Sequence, residues 1–319
     1  MELVTPTPRI VCFGECMIEL SRTALGGKSW ALGHAGDCYN VAAYLARLGC
    51  NASFMSAIGT DMFSNEMYEA WVSEGVGTEF VLRHPERTPG LYAIRVDSSG
   101  ERSFSYWRDQ SAARAFFECY GANAALAAAS TARVLYLSGI TLSLYTEQER
   151  DRIRAVATAV RANGGDVVLD TNYRPRGWPA RVTARRAIEA LASSVTMALP
   201  TLEDDAALFG DRDARACADR WLQLGVNEVA VKLGPKGSLV ATASGHQMVS
   251  TEPRQAVDTT GAGDSFNAAY LAARLAGHAP MAAARIGNRL AGIVVGNRGA
   301  IIPRVVMPMA LIPAEPNSA

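Results

Sequence analysis

The sequence carries no excess of either charge: Lys+Arg and Asp+Glu each number 31 in 319 residues. Without a global basic field, nucleic acid is not expected as a bulk partner. Long hydrophobic runs are missing too. The longest fall far short of the roughly 18 residues that a spanning helix needs, so no membrane partner is expected. The opening Met1-Glu2-Leu3-Val4-Thr5-Pro6 has no basic stretch followed by an apolar one and does not read as a secretion signal. Metal and disulfide patterns are absent. The six cysteines, Cys12, Cys16, Cys38, Cys50, Cys119 and Cys217, form no CxxC pair, and His34, His84, His246 and His278 do not cluster with them. Reduced, buried thiols in a cytoplasmic protein are the simplest reading. His34 and Cys38 could share a helix face, but two ligands do not make a zinc site. No GxGxxG follows the first strand, which removes support for a dinucleotide-dependent oxidoreductase. Gly27-Lys28-Ser29 is no P-loop either, because the first glycine of that motif would fall at Arg22.

What is present is a β-α alternation. Residues 9–14 read as a short buried strand ended by Gly14. A glycine-containing turn then feeds a helix within 33–49, closed by Gly49. A strand at 52–58 and a helix at 64–74 follow, and this rhythm argues for a parallel sheet covered by helices. The rhythm breaks at 90–96 and 102–107, two short strands around Asp97-Ser98-Ser99-Gly100-Glu101 that read as a β-hairpin. Together with 15–32, which holds an extended Met17-Ile18-Glu19-Leu20 and a Gly26-Gly27 turn, the hairpin is expected to form a small separate sheet serving as a lid. The alternation then resumes, with strands at 133–137, 166–170, 195–199, 228–233 and 238–243. Helices are expected at 146–162, 182–192, 203–209, 213–224, 264–275 and 281–294. The division is therefore a core of 1–14, 33–87 and 111–313, a lid of 15–32 and 88–110, and a tail of 314–319. The proline-bearing end from Pro303 onward is expected to pack poorly.

The most informative stretch is Asp258-Thr259-Thr260-Gly261-Ala262-Gly263-Asp264-Ser265-Phe266-Asn267. Gly261 and Gly263 allow a tight turn into a helix, whose N-terminal N–H groups and positive dipole end make an anion site. Asp264 stands beside that site, where it could take a proton from a nucleophile attacking the anion. On these residues alone, a capped helix after a glycine turn explains the stretch equally well. Other informative residues fall at strand ends, where open parallel sheets bind ligands. They are Asp170-Thr171-Asn172-Tyr173-Arg174-Pro175, Pro200-Thr201-Leu202-Glu203 and Lys232-Leu233-Gly234-Pro235-Lys236-Gly237. Gly234 and Gly237 would let backbone approach a ligand, and Glu203 or Asp170 could hold a hard cation through water. Together these suggest a nucleotide phosphate with Mg²⁺. A carboxylate with a reference pKa of about 4 at a helix N-terminus is expected to be ionised at neutral pH.

These motifs resemble the ribokinase-like (PfkB) family of carbohydrate kinases. Asp258 through Leu271 fits the second family signature at each constrained position. The first signature runs from Ala35-Gly36 through Asn40, Ala42, Gly49 and Gly59, with Cys38 standing where the family usually has Gly, Ala or Pro. The resemblance implies an α/β fold, a ribokinase-like three-layer α/β/α core with a mostly parallel central sheet and a small β-sheet lid. Within the family the chain is most similar to kinases of 2-keto-3-deoxygluconate. The similarity is carried by Gly90-Leu91-Tyr92, Gly100-Glu101-Arg102, Tyr106-Trp107-Arg108, Ser111-Ala112-Ala113 and Asp170-x-Asn172-Tyr173-Arg174-Pro175-x-x-Trp178.

What the resemblance implies is an ATP-dependent kinase that phosphorylates a sugar acid at a terminal hydroxyl. Asp264 would be the base, and the backbone of Gly261, Ala262 and Gly263 the anion hole. Gly36, Asp37 and Asn40 would meet sugar hydroxyls, Tyr92 and Tyr106 would stack on the sugar, and Arg108 and Arg174 would grip its carboxylate. Asn172, Lys232, Gly234, Gly237 and Asn288, with Gly261 and Gly263, would serve the nucleotide. Glu203 would hold Mg²⁺ through water, and Asp258 with Thr260 would lie at a K⁺ site. Pro200 departs from the family's Asn-x-x-Glu, since proline offers neither an amide side chain nor an N–H. A homodimer through the lids would cover their strand edges. Two alternatives stay open: another sugar kinase of the fructokinase or ribokinase type, and a non-catalytic sugar sensor.

Overall fold

Strands buried on both faces need apolar residues at every position rather than at alternate ones. Ile10-Val11-Cys12-Phe13 meets that need, and Ala52-Ser53-Phe54-Met55-Ser56-Ala57-Ile58 departs from it only at Ser53 and Ser56; every residue of both is buried. They lie in the middle of the larger of two sheets in the computed structural model, which describes residues 9–22, 28–96, 102–308 and 310–312. The Gly26-Gly27 turn, the hairpin loop at 97–101, the tail at 314–319 and the Met1–Pro6 opening lie outside the described residues.

In chain order the strands are β1 (Ile10–Phe13), β2 (Met17–Arg22), β3 (Trp30–Ala35), β4 (Ala52–Ile58), β5 (Gly77–Arg83), β6 (Leu91–Val96), β7 (Arg102–Trp107), β8 (Val134–Ser138), β9 (Asp166–Asp170), β10 (Met197–Ala198), β11 (Glu228–Lys232), β12 (Ser238–Thr242) and β13 (Gly245–Val249). The α-helices are α1 (Asp37–Arg47), α2 (Met62–Ser73), α3 (Ala122–Ala129), α4 (Gly139–Ser143), α5 (Glu147–Ala162), α6 (Arg181–Ala192), α7 (Leu202–Phe209), α8 (Ala214–Gln223), α9 (Ala262–Leu275) and α10 (Pro280–Val294).

The large sheet has the order β13-β12-β11-β10-β9-β8-β1-β4-β5. Its pairs are parallel except for the β11-β12-β13 meander at one edge. The chain winds outward from β1 to β4 and β5, then returns and winds the other way from β8. That reversal between β1 and β8 is where such sheets open a crevice. Two apolar layers cover the faces. One contains residues of α1, α2, α9 and α10, the other residues of α3, α5, α6 and α8. The three-layer α/β/α arrangement thus matches the expectation.

The second sheet is separate, four-stranded and ordered β3-β2-β6-β7. β2 pairs antiparallel with β3 and parallel with β6, and β6–β7 is the expected hairpin. One face buries Met17, Tyr92 and Ile94. The other, carrying Leu20, Leu91 and Ala93, lines a hollow of about 810 Å³ that also meets the exposed Trp30 and Trp107.

Three strands differ from the sequence reading. β3 was expected as a turn, and β5 and β13 were not anticipated. β5 and β13 are the edges of the large sheet, and Phe80 and Val249 are their only fully buried residues. Half-exposed edges give no continuous apolar run. Of the described residues from Pro303 onward, Leu311 alone is buried, and Arg304 is ion-paired to Glu74.

Candidate active site

Helix α9 begins where the sequence places its glycine turn. Its N-cap, Gly261, has φ +74°, and a Cβ there would overlap the Ala300 backbone, so only glycine fits. Ala300 is itself held from the far side. Tyr44 on α1 donates its hydroxyl to the Ala300 carbonyl at 2.9 Å and accepts from the Ile302 N–H at 3.1 Å. The first-turn N–H groups of α9 are therefore fixed against a braced segment, with Asp264 in the same turn.

Asp264 is half-buried, and its Oδ2 accepts from Asn40 Nδ2 at 2.7 Å. Beyond it stand two more acids. Asp37 accepts from Asn172 Nδ2 at 2.8 Å. Asp170 accepts from Lys232 Nζ at 2.6 Å, from Asn267 Nδ2 at 2.7 Å and from the Asn172 N–H at 3.1 Å. Asn267 also accepts from Lys232 at 3.0 Å and donates to the Tyr136 hydroxyl at 2.9 Å. Asn172 holds its place with φ +30°, the one non-glycine residue of positive φ among the described residues. This is backbone strain of the kind that collects at functional sites.

The neighbouring acids raise the pKa of Asp264. Burial, then the charge of Asp37, then that of Asp170 push Asp264 up to about 7, against the Asn40 hydrogen bond and Lys232. Burial chiefly raises Asp37 as well. This corrects the expectation of a mostly ionised Asp264: desolvation and like charge outweigh the helix terminus. The consequence is chemical, because a base whose pKa lies near ambient pH is well matched to proton transfer.

On the other side of the α9 terminus lies a hollow of about 710 Å³ lined by Glu203, Lys232, Gly234, Gly263 and Asn288, among others. Gly237 also borders it, with φ +90°, and its missing side chain leaves room for the backbone of Val249. A Cβ on Gly263 would lie 3.5 Å from Lys232 Nζ. The anion site, the lysine and the hollow are therefore contiguous. Pro200 is accommodated because the ladder uses its carbonyl, which accepts from the Lys232 N–H at 2.8 Å. Asn172, expected on the nucleotide side, is instead bonded to Asp37. The Asp258 carboxylate receives the N–H groups of Thr260 and Gly299, at 2.8 and 2.9 Å, and so braces the loop before α9.

Tyr92, Tyr106, Arg108 and Arg174 each have a partner within the chain. The Tyr92 hydroxyl bonds Glu19, and the Tyr92 ring lies 6.0 Å from that of Tyr106 across the β6–β7 pair. Arg108 is ion-paired to buried Glu15. Arg174, half-exposed, reaches Asp204 at 2.8 Å. Burial raises Asp204 to about 6 despite that arginine. Gly36 stands at the start of α1, where a Cβ would overlap the Glu15 carbonyl.

Sequence reasoning gave no role to Asn267, Tyr136, Glu15 or Asp204. Asn267 had a usable signal, since it follows Asp264 by three residues and so shares its helix face. Tyr136 had another: a tyrosine within a wholly buried strand needs a hydroxyl partner. The one acid–thiol grouping of metal-ligand type among the described residues, Asp205, Asp211 and Cys217, is elsewhere, on α7, α8 and the loop between them. The Arg220 guanidinium bonds both of its acids, so it is a structural ion-pair cluster.

Comparisons with known proteins agree with this geometry. A model of the "pfkB family carbohydrate kinase" matches residues 7–306. A 2-dehydro-3-deoxygluconokinase of Escherichia coli (strain K12) is 38% identical over 308 residues, covering 94% of this chain and 99% of its own. One from Dickeya dadantii (strain 3937) is also 38% identical, covering 95% and 99%. Among solved structures, a PfkB protein from Polaromonas sp. JS666 superposes with a TM-score of 0.82 at 27% identity, covering 94% of this chain and 98% of that one. The 2-dehydro-3-deoxygluconokinase of Thermotoga maritima gives 0.83 at 22%, covering 93% and 95%, a likeness of fold.

Proposed function

We propose, since this chain belongs to the pfkB family of carbohydrate kinases, that its acceptor is 2-keto-3-deoxy-D-gluconate (2-dehydro-3-deoxygluconate) or a related sugar acid, phosphorylated at a terminal hydroxyl by ATP. The observation that carries the reading is the α9 terminus. There Asp264, held by Asn40, and the anion site at Gly261–Gly263 lie at the junction of the acceptor side and the 710 Å³ hollow.

In this reading Asp264 takes the proton of the acceptor hydroxyl while the hydroxyl oxygen forms its bond to the γ-phosphorus. The bond from that phosphorus to the bridging oxygen breaks, and ADP leaves with the electron pair. The N–H groups of Ala262 and Gly263, with Lys232, stabilise negative charge on the transferring group. Asn40 orients Asp264. Asp37 and Asn172, with the Gly36 backbone, meet sugar hydroxyls. The donor set of the hollow fits a nucleotide with a hard cation. Glu203 lines the hollow and would hold Mg²⁺ through water, Asp204 is the next residue, and Asn288, Gly234 and Gly237 line the part suited to the base and ribose. Mg²⁺, when bound, neutralises phosphate charge. Asp258, with the loop it braces, would lie at a K⁺ site. Tyr92 and Tyr106 would cover the sugar, and Arg108 and Arg174 would meet its carboxylate. The opposite, apolar face of the small sheet pairs with a second copy, giving a dimer through the lids; light scattering on the purified protein checks this.

The direct test is ATP consumption with 2-keto-3-deoxygluconate beside neutral ketoses, with Asp264→Asn as control. Turnover of fructose or ribose but not of the sugar acid overturns the acceptor assignment. Tight sugar binding without any turnover makes the protein a sensor. One observation favours the neutral-sugar reading: both Arg108 and Arg174 already carry a carboxylate from their own chain.

A further inference from the structure

Glu15 is a buried acid that the reaction leaves unused. Its side chain is 1% exposed, and it lies in the short linker from β1 of the large sheet to β2 of the small one. Its carboxylate accepts from Arg108 Nη2 and from Ser111 Oγ, both on the return from β7 to the core. The other two crossings between the sheets pass it as well. A Cβ on Gly90, before β6, would lie 3.0 Å from Glu15 Oε1 and 3.1 Å from Arg108 Cβ. A Cβ on Gly36, after β3, would overlap the Glu15 carbonyl. All four crossings thus meet at one residue.

A carboxylate is withdrawn from water at high cost unless it is paired and hydrogen-bonded, so this one is held to a single geometry. A guanidinium is a rigid plane with five N–H donors, and fixing one of them fixes where the others point. Arg108 gives Nη2 to Glu15, while its buried Nε has no hydrogen-bond partner.

We propose that Glu15 is a positioning residue for the acceptor: it holds the Arg108 guanidinium at the lid hinge so that its remaining donors face the sugar acid, and thereby sets acceptor choice. This rests on the reading above that Arg108 meets the acceptor. The chemistry belongs to Arg108, and Glu15 acts through it.

A double-mutant cycle on the full chain tests this. Arg108→Gln alone is expected to raise the sugar-acid KM about 10- to 100-fold, the loss of a charged hydrogen bond. Glu15→Gln is expected to raise it about tenfold, with kcat and the ATP KM within about twofold of wild type. In the Arg108→Gln background the Glu15 change should add less than about twofold. Full additivity overturns the proposal, as does a parallel loss in kcat and ATP KM, which would mark a general folding role. Glu15→Asp keeps the charge but withdraws it by one methylene, and covers the case in which the glutamine variant does not fold. It should raise the acceptor KM in the same direction, and a wild-type acceptor KM in that variant overturns the proposal. If wild type phosphorylates only neutral ketoses, the acceptor assignment fails by itself. The cycle, run on the sugar that is turned over, still decides whether positions 15 and 108 act as one unit.

Discussion

The two sides of the cleft are built differently. The nucleotide side stands on the carboxyl ends of a nine-stranded sheet and opens as a hollow of about 710 Å³. At its floor Lys232, Asp170, Asn267 and Tyr136 form one hydrogen-bonded network, and all four are buried. The acceptor side is partly carried by a four-stranded sheet joined to the body by four crossings. Of its candidate binding groups, Tyr92 bonds Glu19 and the exposed Arg174 bonds Asp204, while Arg108 is held by the buried Glu15. The first side is organised before anything binds. On the second, Arg174 would have to exchange Asp204 for a ligand, and an exchange of that kind selects among sugars while the chemistry stays fixed.

The largest effect should come where the sides meet. Asp264→Asn is expected to lower kcat about 10²- to 10⁴-fold, the usual contribution of a general base, with the ATP KM little changed. A loss of less than tenfold in steady-state assays would remove Asp264 from the chemistry. Next is Lys232→Met. It strands the buried Asp170 and should cost about 3–5 kcal/mol in denaturant unfolding. It also removes a positive charge that lowers Asp264, so the acid limb of the rate profile should move to higher pH. An unshifted limb would mean that the network and the base are not coupled.

In wild type, kcat/KM should fall as pH drops below about 7, because the base must be ionised and its pKa is raised to about that value. The same shift sets the sign for stability. A raised acid binds its proton in the folded state between its unfolded pKa of about 4 and its folded value, so the fold loses stability as pH rises through that window. Asp264→Asn should therefore melt several degrees higher than wild type at pH 8, with little difference at pH 4. Equal melting temperatures at pH 8 would show that the charge is not buried at a cost. The smallest effect belongs to the exposed pair: Arg174→Gln should raise the sugar-acid KM severalfold and leave stability within about 1 kcal/mol, the range of surface ion pairs. A change in kcat instead would place Arg174 with the fixed side of the cleft.

Local signals were readable in the sequence. The hairpin was visible from two short strands around a Ser/Gly loop, the α9 terminus from Gly261 and Gly263, and α1 from its helical spacing. The edges β5 and β13 were not, because strands buried on one side only give a weak pattern. Nor were the contacts that decide the site's electrostatics. Asn172 meets Asp37 across 135 residues of chain and Lys232 meets Asp170 across 62, and neither pairing leaves a mark in spacing. For the same reason the charge state of Asp264 was misread: its helix position is local, whereas the acids opposing it arrive from α1 and β9.

Tyr44 gives one more result. It follows Asn40 by four residues on α1, one turn or about 6 Å along the axis. Asn40 grips Asp264, while Tyr44 grips the segment that backs Gly261. A single helix thus ties the Asp264 carboxylate and the backing of the Gly261 turn to one rigid element, with the two attachments one helical turn apart.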